Sequence, residues 1–231
     1  MRVVPIKLAF SNAYLVIDQR AIVIDTGSPN EAAKIMTAIK RADVDPQRVA
    51  LILHTHGHPD HAGSTRQLRS LIDAPTAIHT CDAAMLTSGI PDPVKPISLE
   101  AQLVKAMLVK PFPGIKPDLI IEREMALHEF GVDGRVIYTP GHTPGSISVL
   151  LGNGEAIIGD VLMGGMMGGN LFGSRPNYHY FIDDRVALHA SLKTILAQAP
   201  ARLHVGHGGP LDPEEVRRRF AGVLTGEKAD R

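Results

Sequence analysis

The sequence predicts a layered α/β protein, with two β-sheets covered on their outer faces by helices. Three observations carry that expectation. Short apolar runs of strand length alternate with segments of helical period along the 231 residues. The order runs strands, helix, strand, helix, strand, then strands, helix, strand, so two halves each pass from a β meander into βα units. Apolar residues make up 44% and charged residues 21%, the composition of a globular chain with a substantial core. No linker-like stretch divides the chain, so one domain over residues 1–231 is expected.

The elements follow in order. "NAYLVID" and "AIVIDTG" are apolar runs separated by the polar Gln19-Arg20, a hairpin pattern within an all-strand segment over residues 1–25. "NEAAKIMTAIKRAD" (30–43) places Ala33, Ile35, Met36 and Ile39 at helical spacing. "RVALILHT" (48–55) reads as a buried strand, "HAGSTRQLRSLID" (61–73) as a helix after Pro59, and "PTAIHT" as a strand. Residues 81–127 hold six prolines between Pro91 and Pro117 and one helical stretch, 98–110; they read as an insertion that covers something, a lid or a dimer contact. Strand signals return at "RVIYT", "SISVLL" and "EAIIGD". "MGGMMGGNLFGSRPNYHYF" reads as a glycine-rich loop, 184–199 as a helix, "RLHVGH" as the last strand, and the tail from Asp212 as a short charged helix with a frayed end.

Lys+Arg and Asp+Glu both count 24, so no global field favours nucleic acid or an anionic membrane. The single cysteine, Cys81, leaves no internal disulfide; it reads as a small buried or half-buried residue. The N-terminus shows no secretory signal, and no apolar run approaches a membrane span. A cytoplasmic protein is expected, without nucleic-acid or membrane partners, as a monomer or homodimer.

The chemistry concentrates in "LILHTHGHPDHAGS". His56 and His58 stand two apart in an extended segment and point the same way. Asp60 and His61 turn into the next helix toward a second position. Imidazole and carboxylate are the usual ligands of zinc or iron. His142 in "TPGHTPGS", Asp160 in "IIGD" and His207 in "HVGHGGP" each follow an apolar run and adjoin glycine, which permits close approach. His54, in the strand before the cluster, reads as structural, and His79, His128, His189 and His204 as surface or packing residues.

These motifs, in this order and with "IDTG" at 24–27, resemble the metallo-β-lactamase superfamily over roughly residues 8–211. The resemblance implies an αββα sandwich. It implies that His56, His58 and His142 bind a first metal, that Asp60, His61 and His207 bind a second, and that Asp160 bridges both. Asp60 and Asp160 would be the catalytic carboxylates, and Asp25 would support the ligand loop. Two divalent ions, zinc or else iron or manganese, would then activate a bridging hydroxide against a small-molecule ester, thioester or lactone. Met163, Tyr178, His179 and Tyr180 are candidate substrate contacts.

Within that family the branches differ. Secreted β-lactamases mostly lack an aspartate at the position of Asp160. Glyoxalase II carries a long C-terminal glutathione-binding extension, whereas 24 residues follow His207 here. Acyl-homoserine lactonases carry a tyrosine where this chain has Met163. RNA-processing members need a basic exosite. The expected activity is therefore that of a glyoxalase II-like dinuclear hydrolase. The alternatives are a mononuclear iron persulfide dioxygenase and phosphodiesterase or β-lactamase side activity.

Overall fold

A computed structural model describes residues 1–108 and 110–226. Its first sheet is built in sequence order from β1 (Arg2–Lys7), β2 (Asn12–Ile17), β3 (Ala21–Ile24), β4 (Val49–Leu53), β5 (Thr76–His79) and β6 (Leu119–Ile121). Strands β1 to β3 form an antiparallel meander, and β3 to β6 run parallel. The second sheet contains β7 (Met125–Ala126), β8 (Gly134–Tyr138), β9 (Ile147–Leu151), β10 (Glu155–Ile157) and, at its edge, the last strand Arg202–His204, which pairs parallel with β10.

Side-chain alternation explains the layers. Along β2, β3 and β4, residues Tyr14, Val16, Ile22, Ile24, Leu51 and Leu53 face the second sheet and pack with Val136, Ile147, Val149 and Ile157. The intervening Leu15, Val23 and Ile52 face the other way, onto Ile35 and Ile39 of helix α1 (Ala32–Arg41). On the far side, Leu188, Leu192 and Ile195 of the helix Arg185–Ala197 cover Ala156, Ile158 and Leu203. The result is an αββα sandwich. Each fully buried aliphatic side chain contributes roughly 1.5–3 kcal/mol relative to exposure, so these layers fix the strand ends from which the histidine loops leave.

Four expectations need correction. The helix read over 61–73 is two short helices, α2 (Pro59–Ala62) and α3 (Thr65–Arg69). The chain breaks at Gly63 because its N–H donates to Gly27 O at 2.8 Å, and a Cβ there would overlap Pro59 O and Pro29. The proline-rich stretch 81–127 is not wholly an insertion, since β6 and β7 within it complete the edges of both sheets. It also carries α4 (Ala83–Ser88) and α5 (Leu99–Leu108), and Ala101 and Val104 of α5 pack on Val94, Tyr180 and Phe181. Val109, the penultimate residue of the expected 98–110 helix, lies outside the described residues.

The glycine-rich loop is a hairpin of β11 (Met163–Met166) and β12 (Leu171–Asn177). A Cβ at Gly164 would lie within 2.5 Å of Gly209 N and closer still to Gly173 O, so the missing side chain lets three backbones meet. Cys81 is exposed rather than buried, because it falls in a 3₁₀ turn, Thr80–Asp82, that directs its side chain outward. The last strand becomes β13 (Arg202–His204); the long outer helix is α6, and the expected C-terminal helix is α7 (Pro213–Arg219) followed by α8 (Ala221–Thr225). Among the described residues, no helix is long and apolar enough to cross a membrane.

Candidate metal centre

The loops after β3, β4, β8, β10 and β13 converge at one edge of the sandwich. Asp25, directly after β3, is the first fixed point. It sits at φ 61°, in the left-handed region that non-glycine residues rarely occupy. Its Oδ1 accepts the Thr55 N–H at 2.8 Å and its Oδ2 accepts the Thr55 hydroxyl at 2.7 Å. His61 Nδ1 lies 2.8 Å from the same Oδ2. Asp25 thus ties the two ends of the His56–His61 segment together, beside the Ile147 N–H of β9, which donates to Thr55 O at 2.9 Å.

The loop after β13 is tied in from the first sheet. Asn12 Nδ2 donates to Val205 O at 2.9 Å and to Gly208 O at 2.8 Å, and the Tyr14 hydroxyl donates to Val205 O at 2.7 Å. Asp82 performs the same task for the other loops. Its carboxylate accepts the N–H of Gly57 at 2.9 Å, the hydroxyl of Thr143 at 2.8 Å and the N–H of Gly145 at 2.9 Å. One buried side chain therefore pins the peptide between His56 and His58 to the turn that presents His142.

The side chains meet around Asp160. Its Oδ2 lies 3.7 Å from His56 Nε2, 3.4 Å from His61 Nε2, 3.4 Å from His142 Nε2, 3.3 Å from His207 Nε2 and 3.3 Å from His179 Nε2. His142 Nε2 faces His58 Nδ1 at 2.9 Å, and Asp60 Oδ2 lies 3.4 Å from His207 Nε2. Groups suited to hold an ion are His56 with His58 and His142, Asp60 with His61 and His207, His56 with His61 and Asp160, and His142 with Asp160 and His179; all are buried. The first two are the two trios expected from the sequence, and Asp160 lies against both. Gly206 is required here, since a Cβ would sit 2.0 Å from Asp160 Oδ1 and 2.6 Å from His61 Cε1.

The donor set fits a cation. Ligands held at about 2.05 Å from a tetrahedral ion stand roughly 3.4 Å apart, the spacing seen around Asp160 Oδ2. His142 donates its Nδ1–H to Phe181 O at 2.8 Å, and His207 donates its Nδ1–H to Phe10 O at 2.7 Å. Each therefore turns a bare Nε2 inward, as metal-binding imidazoles do. His56 Nε2 and Asp160 Oδ1 are buried with no hydrogen-bond partner, and such orphans carry a large desolvation cost unless an ion satisfies them.

Charge points the same way. Burial pushes the pKa of His56, His58 and His142 down, which keeps these imidazoles neutral and able to bind. Burial also opposes charge on Asp160, but His179, His207 and His61 outweigh it and hold the carboxyl well below the usual range. Burial lowers His61 too, yet Asp160, Asp25 and Asp60 raise it well above its ordinary value. The pocket between these groups is built for positive charge.

Beside the cluster lies a cavity of about 370 Å³, whose floor includes His58, Asp60, His179 and His207. Phe10, Val94, Val104, Met167 and Phe181 form largely apolar walls. Of the candidate substrate contacts, His179 and Tyr180 line this cavity. Tyr180 donates its hydroxyl to Glu100 Oε1 at 2.7 Å. Met163 is buried in β11 and Tyr178 bonds His189 Nε2 at 2.7 Å; neither belongs to the cavity wall, and Met167 takes the methionine position there.

The other histidines divide as packing would have them. His54 is buried and bonds Thr65 Oγ1 at 3.2 Å; His79 stacks on Tyr138; His204 pairs with Glu155; His128 is exposed. Two participants escaped the sequence reading: Asp82, a lone acid in a helical stretch, and His179 as a member of the cluster itself. The aromatic run "NYHYF" was the one signal for the latter.

This fold and this convergence of imidazoles and carboxylates at strand ends define an α/β sandwich with residues suited to hold metal ions. A family described as "Metallo-beta-lactamase superfamily" matches residues 6–207. An Aquifex aeolicus protein without a functional name is 29% identical over 238 residues, spanning 97% of this chain and 98% of its own. The Bacillus subtilis "Probable metallo-hydrolase YflN" is 27% identical over 213 residues, spanning 85% and 78%. Among solved structures, one titled "Crystal structure of TTHA1623 in a di-iron-bound form" superposes with a TM-score of 0.65 at 26% identity, over 93% of this chain and 97% of that one. The chain belongs to the metallo-β-lactamase superfamily.

Proposed function

We propose that the protein is a dinuclear metal-dependent hydrolase of a small ester, thioester or lactone. The observation that carries this reading is the sharing of Asp160 by two ligand trios at ligand-to-ligand spacing, beside an apolar cavity of about 370 Å³. His56, His58 and His142 would hold one ion, Asp60, His61 and His207 the other, and Asp160 both. The ions, once bound, would make a water nucleophilic near neutral pH and polarise a carbonyl. Zinc suits the donors; iron and manganese also accept them, and the similarity to a di-iron-bound structure keeps iron in view.

The chain's own residues supply position. Asp25 and Asp82 fix the loops, so the ligands are preorganised and lose little freedom when loaded. Asp60 stands at the cavity floor, where it faces both His207 and the substrate space. The apolar walls receive the acyl part of a substrate and keep bulk water from it. A cavity of this size and lining suits a small uncharged acyl group.

Metal analysis of protein purified without added metal, read beside assays with a thioester, a lactone, a phosphodiester and glutathione persulfide, tests the reading. About two metals per chain and turnover of a carbonyl substrate are expected. Asp160→Ala should lose at least one metal and abolish hydrolysis. Unchanged turnover in that variant, or one iron per chain with oxygen uptake on the persulfide, would overturn the dinuclear hydrolase.

A further inference from the structure

Six histidines crowd the centre, and the hydrogen bonds at Nδ1 separate four of them into two kinds. His61, His142 and His207 each place Nδ1 against an acceptor: Asp25 Oδ2, Phe181 O and Phe10 O. A proton on Nδ1 leaves Nε2 bare for a metal. His179 is wired in reverse. The backbone N–H of Phe181 donates to its Nδ1 at 3.2 Å. Phe181 O lies farther from that nitrogen, at 3.4 Å, and already takes the His142 proton at 2.8 Å. An Nδ1 that accepts a hydrogen bond in a neutral imidazole leaves the proton on Nε2.

One residue, Phe181, thus sets two opposite tautomers. Its carbonyl makes His142 a bare-nitrogen ligand, and its amide makes His179 an N–H donor. The Nε2–H of His179 points at Asp160 Oδ2, 3.3 Å away, and the same ring lines the apolar cavity. It is the one imidazole of the centre, among the described residues, that is bonded outward through an amide donor and faces the substrate space.

We propose that His179 is not a metal ligand but a hydrogen-bond donor, which holds the anionic oxygen that a carbonyl substrate develops beside Asp160. The assignment of the donor stands on the tautomer; the nature of its acceptor rests on the hydrolase reading above. A preorganised donor in a buried site is typically worth about two to three orders of magnitude in turnover.

The test uses the zinc-loaded full chain, with butylphosphonate as an anionic tetrahedral probe. His179→Phe keeps a ring and removes the donor; His179→Gln places an amide N–H close to the former Nε2. Metal content should be equal in wild type and both variants. Phosphonate affinity should fall about tenfold or more in His179→Phe and return to within about threefold in His179→Gln, as expected for a hydrogen bond to a charged group. Nitrogen NMR of labelled zinc-loaded wild type should show His179 unprotonated at Nδ1 and protonated at Nε2, its signals assigned by their loss in His179→Phe.

Loss of a metal equivalent in His179→Phe, a protonated Nδ1 in the wild type, or phosphonate binding that is absent in the wild type or unaffected by loss of the ring donor would each overturn the proposal. Ester, thioester and lactone turnover is measured on the same samples. Phosphonate binding that depends on His179 in a wild type without hydrolysis would sink the hydrolase reading and leave the donor standing.

Discussion

Replacing Asp82 by alanine tests whether one buried carboxylate organises the metal loops. The substitution orphans the N–H groups of Gly57 and Gly145; Thr143 keeps Ser146 Oγ at 2.9 Å as an alternative partner. Two buried unsatisfied donors cost about 1–3 kcal/mol each, so the loss is about 2–6 kcal/mol. An opposing effect acts at neutral pH. Burial pushes the Asp82 carboxyl from its ordinary 3.8 up to about 6, against the hydrogen bonds from Thr143, Gly57 and Gly145 that lower it.

A group that holds its proton more tightly in the folded state adds stability that is complete below the unfolded pKa and gone above the folded one. The native chain therefore carries a penalty of about 3 kcal/mol above pH 6. The alanine variant is relieved of it. The destabilisation by Asp82→Ala should accordingly be small at pH 7.5 and larger by about 1.4 kcal/mol at pH 5, from the same two pKa values. Urea unfolding of metal-free protein at both pH values measures this difference, and histidine titrations common to both proteins cancel. A pH-independent difference, or one that grows toward alkaline pH, would refute the reasoning. Metal affinity should also fall by about ten- to a hundredfold.

His54→Ala should leave metal content unchanged, because His54 bonds Thr65 away from the cluster and burial holds its pKa near 4. The expected cost is stability alone, about 2–4 kcal/mol for a buried ring reduced to a methyl; loss of a metal equivalent on elemental analysis would show that the ligand set is wrong. Gly206→Ala should weaken metal binding by about tenfold or more while the fold survives, since its Cβ would sit 2.0 Å from Asp160 Oδ1 and 2.6 Å from His61 Cε1. Competition with a chelator measures this, and wild-type affinity would contradict the packing argument.

The sandwich was legible because its signals are local. Unbroken apolar runs in β2, β3 and β4 mark strands buried on both faces, and the period of residues 30–43 encodes the apolar stripe of α1. Imidazoles and carboxylates directly after apolar runs marked the ligand candidates, and the resemblance to the metallo-β-lactamase superfamily sorted them into two trios. What escaped the sequence depends on partners far along the chain. The break at Gly63 follows from a bond to Gly27, and the hairpin in the glycine-rich stretch follows from backbones that approach Gly164 from residues 173 and 209. Propensity reads glycine as loop, whereas here its missing side chain permits contact.

The division of labour among the histidines was beyond any reading of spacing. His142 and His179 are both buried, both lie within 3.4 Å of Asp160 Oδ2, and both bond to Phe181. Burial lowers the pKa of each, so charge does not separate them either. What separates them is whether each ring meets the carbonyl or the amide of Phe181, and a sequence carries no mark of that. Residue type at a strand end announces that a metal can be held. The two peptide groups that flank Phe181 set which imidazole turns a bare nitrogen inward and which one donates, and so substitutions near Phe181 that leave every ligand in place should still alter the centre.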